Sequence, residues 1–182
     1  MKNQMRILII ADVDDLHWRH GKGKADLLLS CGDVSDQYIL EAAEAYACRT
    51  IFAVKGNHDS QESFVPPIVD LHLAVQSFNG IRFGGFSGAW KYKPRGHFLY
   101  EQCEVDKLIA SFPEVDILLC HNSPRGIHDK EDGIHYGFEG LTHYISNAKP
   151  NLLIHGHQHV NAETQIGATR VIGVYGYKVL VP

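Results

Sequence analysis

The sequence predicts an α/β fold in which a sandwich of mixed sheets is flanked by helices. Three observations predict this fold: short aliphatic runs recur along the chain, helical patterns lie between them, and two further segments are typical of antiparallel hairpins. With 182 residues, of which 45% are apolar, the chain can bury a sizeable core. We therefore expect a single domain over residues 1–182.

The predicted elements follow from the spacing of apolar residues. Short, continuous aliphatic runs are typical of strands buried on both faces, and they span residues 5–11, 26–31, 50–55, 116–120 and 151–155. Apolar residues at helical spacing predict helices around residues 39–46, 105–112 and 138–145. Residues 74–88 are predicted as a hairpin that turns at Asn79-Gly80, and residues 162–182 as a second one that turns near Gly167-Ala168.

Composition and charge exclude some classes of protein. A net charge of -4 and an isoelectric point near 6.3 argue against a nucleic acid polymer as partner, because that partner requires a basic face. We find no run long enough to cross a membrane and no signal peptide, and we expect a cytoplasmic protein. The cysteines lack CxxC pairing and are expected to be reduced core residues: Cys31, Cys48, Cys103 and Cys120.

Metal-type donors follow each of the five predicted strands. In chain order they are Asp12 and Asp14, Asp33, Asn57 and His58, His121, and His157 and His159. Because the carboxyl ends of strands border the crevice where α/β sheets bind ligands, we expect these donors to converge. Any one of them alone could simply cap a strand or lie in a loop. Five strand ends together favour a metal site.

In their order along the chain, these motifs resemble those of the calcineurin-like metallophosphoesterases: Asp12-x-Asp14, Gly32-Asp33, Gly56-Asn57-His58-Asp59, His121 and Gly156-His157-Gln158-His159. The resemblance implies a four-layer α-β-β-α sandwich of two mixed sheets flanked by helices. It also implies two divalent metal ions. One would be held by Asp12, residue 14, Asp33 and His159, and the other by Asp33, Asn57, His121 and His157.

The chain departs from the family at Asp14, where relatives usually have histidine. A carboxylate keeps a ligand at this position but is a harder donor, which favours Mn²⁺ or Mg²⁺ over softer ions. We expect Mn²⁺, with Fe, Zn, Mg and Ni as alternatives. Asp15 or His17 could instead supply the ligand, although neither has the i+2 spacing that directs Asp14 to the same side as Asp12.

The expected reaction is hydrolysis of a phosphate ester. Two ions about 3.5–4 Å apart can hold a bridging hydroxide for in-line attack on phosphorus. His58 is the expected proton donor to the leaving oxygen, and Asp59 is expected to orient it. The alternative for His58 is a supporting or surface histidine.

A small phosphorylated substrate is expected, and neither a membrane nor a nucleic acid polymer is expected as a partner. The chain resembles the small, single-domain branch that includes the brain-type metallophosphoesterases, which implies a phosphodiester such as a cyclic nucleotide. A phosphomonoesterase and a non-catalytic scaffold are the alternatives, and assembly into a homo-oligomer is left open.

Two segments outside the metal motifs are candidates for substrate contact. The aromatic and basic residues of segment 88–98 could form a rim that stacks a base, and Arg125 could contact a phosphate. An ordinary solvated surface is the alternative for both. His155, which lies inside a strand run, is expected to be a core histidine. His72, His135 and His143 lie in no motif that assigns them a role.

Overall fold

The computed structural model describes residues 4–13 and 22–181. In this part of the chain the strands are β1 (Ile7–Ala11), β2 (Leu27–Ser30), β3 (Thr50–Ala53), β4 (Val69–Asp70), β5 (Val75–Phe78), β6 (Ile81–Phe86), β7 (Ala89–Trp90), β8 (Leu99–Tyr100), β9 (Ile117–Cys120), β10 (Leu152–His155), β11 (Ala162–Ile166), β12 (Thr169–Gly173) and β13 (Gly176–Leu180). The helices are α1 (Asp36–Ala45), α2 (Gln102–Ala110) and α3 (Glu139–Ala148).

Two mixed sheets form the body of the protein. The first has the strand order β13-β1-β2-β3-β4 and the second β11-β12-β10-β9-β6-β5, while β7 and β8 form a separate pair. β1, β2 and β3 are parallel neighbours in the first sheet, and β6, β9 and β10 are parallel neighbours in the second. The five predicted aliphatic strands are confirmed as β1, β2, β3, β9 and β10.

The alternation of side chains along the strands builds four layers. Along β1, Ile7 and Ile9 pack in the core between the sheets, whereas Leu8 and Ile10 pack with α1 on the outer face. In the second sheet, Leu119 faces the core between the sheets, and Leu118 packs with α2 and α3. The predicted α-β-β-α sandwich is therefore confirmed, because successive strand residues point to opposite faces.

The helices begin and end where local chemistry predicts. Ser35 caps α1, and its side-chain oxygen accepts a hydrogen bond from the Tyr38 N–H at 3.4 Å. Glu101 and Glu104 form a reciprocal capping box at the start of α2. α3 ends at Lys149, which adopts the left-handed conformation. In the part of the chain that the structure describes, no helix is long and apolar enough to cross a membrane.

The first predicted hairpin is confirmed, and the second is confirmed only in part. β5 and β6 join at Asn79 and Gly80, both with positive φ as a type I′ turn requires. β11 and β12 also pair as predicted, but β13 leaves their sheet and pairs antiparallel with β1 in the other one. An alternating pattern fits the edge of either sheet, so it could not identify the partner of β13.

All four cysteines are free, but the prediction that all of them are core residues is wrong for Cys103. Cys31, Cys48 and Cys120 are buried, and Cys103 is exposed. Its position in α2 explains the difference, because Val105 and Ile109 form the buried side of that helix and Cys103 lies away from them.

Tyr144 ties α3 to the segment that joins α2 and β9. Its hydroxyl donates to the Pro113 carbonyl at 2.7 Å and accepts from the Val115 N–H at 3.2 Å. The ring is buried, and burial raises the pKa of Tyr144 to about 12. One hydroxyl therefore satisfies two backbone groups at this junction.

Replacing Tyr144 by phenylalanine should lower the free energy of unfolding by about 1–3 kcal/mol, because the buried Val115 N–H loses its acceptor. Denaturant unfolding measures this change. Tyr100→Phe is the control, since it removes a hydroxyl from a ring that is only partly buried. An equal, small loss in both variants would contradict the structural role of the Tyr144 hydroxyl.

The same hydroxyl should make stability depend on pH in the alkaline range. Folding raises the pKa of Tyr144 above its ordinary value of 10.0, so the stabilisation is complete below pH 10.0 and is lost as the pH rises toward about 12. The difference in stability between the parent protein and Tyr144→Phe should narrow over this interval. A difference that stays constant across it would argue against the shift.

Candidate metal centre

The carboxyl ends of strands from both sheets meet at one end of the sandwich. Asp12 follows β1 and Asp33 lies beyond the end of β2 in the first sheet, while His121 follows β9 in the second. All three side chains are buried, and one ligand atom from each lies within 4.8 Å of the others. The convergence expected from the strand ends therefore occurs across the two sheets.

His121 points a ring nitrogen at two oxygen atoms. Its Nδ1 lies 2.8 Å from the Cys31 carbonyl, which can only accept, so Nδ1 carries a proton. In the neutral ring, the lone pair of Nε2 then faces the Asn57 Oδ1 at 3.1 Å and the Asp33 Oδ2 at 3.4 Å. Three such atoms facing one another form the kind of donor set that a divalent cation binds.

The electrostatics at His121 also favour a cation. Burial lowers the pKa of His121, but the carboxylates of Asp33 and Asp12 outweigh burial and raise it above the ordinary value. Negative charge is thus concentrated around a ring that is fully buried. A bound cation would neutralise this charge.

Asp12 joins the first sheet to the turn after β10. Its Oδ2 accepts the His157 N–H at 2.9 Å, and its Oδ1 lies 3.7 Å from the His159 Nε2. The Nε2 of His157 is buried and has no hydrogen-bond partner among the described residues. Burial and the neighbouring His121 ring lower the pKa of His157, which keeps this imidazole neutral. A buried neutral nitrogen with a lone pair fits a metal ion.

Four of the expected ligands have a left-handed backbone. The φ angles are 54° for Asp12, 54° for Asp33, 62° for His157 and 49° for His159. Residues other than glycine adopt this conformation uncommonly, and such strain persists mainly where the surrounding structure enforces it for function. The turns after β1, β2 and β10 therefore present their side chains at a conformational cost.

Two glycines make room for the ligand carboxylates. A Cβ at Gly56 would lie 2.0 Å from the Asp33 Oδ1, and a Cβ at Gly156 would lie 2.7 Å from the Asp12 Oδ2. Both distances are far below van der Waals contact. The glycines of the Gly-Asn-His-Asp and Gly-His-Gln-His motifs thus let the backbone approach the metal donors.

His58 and Asp59 lie beside the donors, but not in the expected relation to each other. The backbone N–H of His58 donates to the Asp33 Oδ1 at 2.9 Å, and its side chain is exposed. The Oδ2 of Asp59 accepts the N–H groups of Asp33 at 2.9 Å and Gly56 at 2.7 Å. Asp59 therefore holds the backbone of the ligand turns, and the expectation that it orients the His58 ring is not met.

The remaining expectation at the first strand falls outside the described residues. Asp14 and its alternatives, Asp15 and His17, all lie in residues 14–21. The ligand at this position stays a prediction.

Aromatic side chains border the centre on two sides. The Tyr92 hydroxyl accepts from the Asn57 Nδ2 at 3.3 Å, which places segment 88–98 beside the ligands. On another side, Tyr175 stacks on His159 with ring centres 4.9 Å apart. Tyr175 could not be identified from the sequence, because a single tyrosine before an edge strand carries no distinguishing pattern.

Arg125 is engaged by acidic neighbours. Its guanidinium donates to Asp129 and Glu131, each at 2.6 Å, and its carbon lies 4.6 Å from the centre of the Tyr136 ring. The two carboxylates offset its charge in the structure. The contact of Arg125 with a phosphate stays a prediction.

Two histidines outside the expected ligand set have defined surroundings. His155 is confirmed as a core residue: its ring nitrogens lie 2.9 Å from the Gly156 carbonyl and 2.9 Å from the His128 Nδ1, and burial lowers its pKa to about 3. His135, which lies in no sequence motif, lies against His157 and His159. The position of His135 in the loop after His121 was the available signal.

Comparison with known proteins agrees with this geometry. A family model for the calcineurin-like phosphoesterase superfamily domain matches residues 5–174. A sequence comparison with curated proteins finds no significant match.

Solved structures share the fold at low sequence identity. TT1561 of Thermus thermophilus is 14% identical, with a TM-score of 0.64 over 98% of this chain and 95% of that chain. The phosphopantetheinyl hydrolase PptH of Mycobacterium tuberculosis is 11% identical, with a TM-score of 0.56 over 95% and 90% of the two chains. Vps29 of Entamoeba histolytica, crystallised with zinc, is 14% identical, with a TM-score of 0.51 over 94% and 74%.

At such identities the solved structures show the shared fold alone. The family model goes further, because it spans nearly the whole chain, including every strand that ends at the candidate metal centre. This protein therefore belongs to the calcineurin-like phosphoesterase superfamily.

Proposed function

We propose that this metal-dependent phosphoesterase hydrolyses a small phosphodiester, such as a cyclic nucleotide. The observation that carries the proposal is the buried cluster in which Asp12, Asp33 and His121 meet from two sheets. Family membership supports hydrolysis of a phosphate ester, and the surroundings of the cluster support the choice of substrate.

The residues that would hold two divalent ions are Asp12, Asp33, Asn57, His121, His157 and His159, with Asp14 as a further candidate. When bound, such ions supply an activated nucleophile near neutral pH and neutralise charge on the phosphoryl oxygens. Oxygen donors from Asp12, Asp33 and Asn57 make up half of this described set. We propose Mn²⁺ as the native ion, because it accepts carboxylate and carbonyl donors readily.

The pairing of Arg125, on the loop after His121, supports a diester. Its charge is met by Asp129 and Glu131, whereas Lys130 keeps its charge, because the Gln158 carbonyl to which its Nζ donates at 3.0 Å is neutral. A phosphomonoester carries more negative charge than a diester and so is favoured by more cationic groups around its oxygens. The engagement of Arg125 with two carboxylates therefore favours the less charged substrate.

Flat aromatic surfaces support a substrate that contains a ring. Tyr175 is 46% exposed beside His159, and Tyr92 lies beside Asn57. Aromatic side chains stack on nucleobases with little dependence on base identity. A net charge of -4 gives no electrostatic attraction for a long polyanion, so the proposed substrate is small.

His58 is the proposed proton donor. Its backbone is fixed to the Asp33 carboxylate, while its side chain is exposed beside the donors. In the proposed reaction this ring would give its proton to the oxygen that leaves phosphorus. An imidazole exchanges protons near neutral pH, as this step requires.

Metal dependence and ester preference can be measured together. Metal-stripped protein should be inactive, and added Mn²⁺ should restore hydrolysis of bis(para-nitrophenyl) phosphate. We expect kcat/KM for this diester to exceed that for para-nitrophenyl phosphate by about tenfold or more, a difference of about 1.4 kcal/mol in transition-state stabilisation. His121→Ala is the control variant and should stay inactive, because it removes a central donor.

Preference for the monoester would replace the proposed substrate with a phosphomonoester. Failure of Mn²⁺, Mg²⁺, Zn²⁺, Fe²⁺ and Ni²⁺ alike to restore turnover would contradict the proposed activity and favour a non-catalytic scaffold.

His58→Ala should keep its metal ions and lose activity. The expected fall in kcat is about 10²–10⁴-fold, the usual contribution of a general acid. The fall should be larger for an alkyl ester than for an aryl ester, because an alkoxide leaves poorly without a proton. His143→Ala is the matched control, since its ring is exposed on α3. Equal losses for both esters would remove His58 from the proton transfer.

A further inference from the structure

We propose that the Nε2 of His135 is an additional ligand of the metal centre, beside His157 and His159. The inference rests on the proposed function in one respect, namely that the centre binds divalent cations. His135 lies outside the sequence motifs that predicted the centre, on the loop between β9 and α3.

Asp132 fixes which nitrogen of His135 is available. The Asp132 Oδ2 lies 2.5 Å from the His135 Nδ1, and its Oδ1 accepts the backbone N–H groups of Ile134 at 2.9 Å and His135 at 2.8 Å. A carboxylate only accepts, so Nδ1 carries the proton and Nε2 of the neutral ring carries the lone pair. Histidine ligands of metals commonly donate their other N–H to a carboxylate in this way.

The position of the His135 ring fits an ion shared with His157. The centre of the His135 ring lies 5.2 Å from that of His157 and 6.3 Å from that of His159. Two imidazoles that bind adjacent positions of one ion through nitrogens at about 2.1 Å have ring centres about 4.5–5.5 Å apart, so the separation from His157 fits and the one from His159 is longer. The pair His121 and His157, both expected ligands, gives a separation of 5.0 Å in the same structure. The His135 ring therefore lies about as close to the His157 ring as the ring of His121, an expected ligand, does.

The loop that carries His135 is attached to the turn that carries the two histidines. The His135 carbonyl accepts from the Gln158 Nε2 at 3.0 Å and from the Lys130 N–H at 3.1 Å. The Lys130 Nζ in turn donates to the Gln158 carbonyl at 3.0 Å. Gln158 is fully buried and lies between His157 and His159 in the sequence. Hydrogen bonds within the protein therefore hold both the position and the ring orientation of His135, as a preorganised metal site requires.

Metal titration of stripped protein tests the proposal. The probes are Mn²⁺ by calorimetry and Co²⁺ by its visible absorption, neither of which depends on turnover. His135→Ala should weaken the binding of one ion by about tenfold or more and change the Co²⁺ spectrum. Asp132→Asn, which changes only a positioning residue, should weaken binding less. His143→Ala should bind both ions as the parent does.

Unchanged affinity and an unchanged Co²⁺ spectrum in His135→Ala would overturn the inference and leave His135 as a packing neighbour of the ligands. If the parent protein itself binds no divalent ion, the proposed function fails instead, so the two failures are distinguishable.

A measurement on the parent protein covers the case in which His135→Ala does not fold. Binding of Zn²⁺ should shift the ¹⁵N resonance of the His135 Nε2 and leave that of Nδ1 in its protonated range. A resonance that does not move when Zn²⁺ saturates the centre would contradict the inference.

Discussion

His121 joins the two sheets at the metal centre, and its buried ring faces other donors of the centre. The residue follows β9 of the six-stranded sheet, yet its Nδ1 is bound to the Cys31 carbonyl at the end of β2 in the five-stranded sheet. With one ring nitrogen held there, the other faces Asp33 and Asn57. The ring is completely buried, so its bonds are not shared with solvent. One imidazole thereby links the two sheets where their strand ends meet, as the bond from the His157 N–H to Asp12 also does.

Most of the fold could be predicted because burial on both faces leaves a clear pattern. Short, continuous aliphatic runs between turn residues are typical of buried strands, and such runs form β1, β2, β3, β9 and β10. The partner of β13 could not be predicted, since Tyr177 and Val179 alternate in a way that suits either sheet edge. β4, β7 and β8 have two residues each, too few for any periodicity to be detected.

The candidate site, like the fold, has a part that could be predicted from the sequence and a part that could not. Donors that directly follow strands could be placed together because parallel strands carry their ends to one edge, and Asp12, Asp33 and His121 meet there. Roles that depend on side-chain direction could not be predicted. Asp59 accepts backbone N–H groups and does not orient His58, and His135 comes to the ligands through a loop path that no spacing rule describes. The role of Asp14 as a metal ligand stays a prediction.

The hydrogen bonds within the ligand turns have a consequence for how the protein acquires metal. The His58 N–H holds the Asp33 carboxylate and the His157 N–H holds that of Asp12, so backbone groups of the protein itself fix both carboxylates. One oxygen of each carboxylate is thereby committed to the backbone, and the other faces a histidine nitrogen of the centre. An incoming ion would therefore meet carboxylates whose direction the chain already sets, and so would any ion that replaces it.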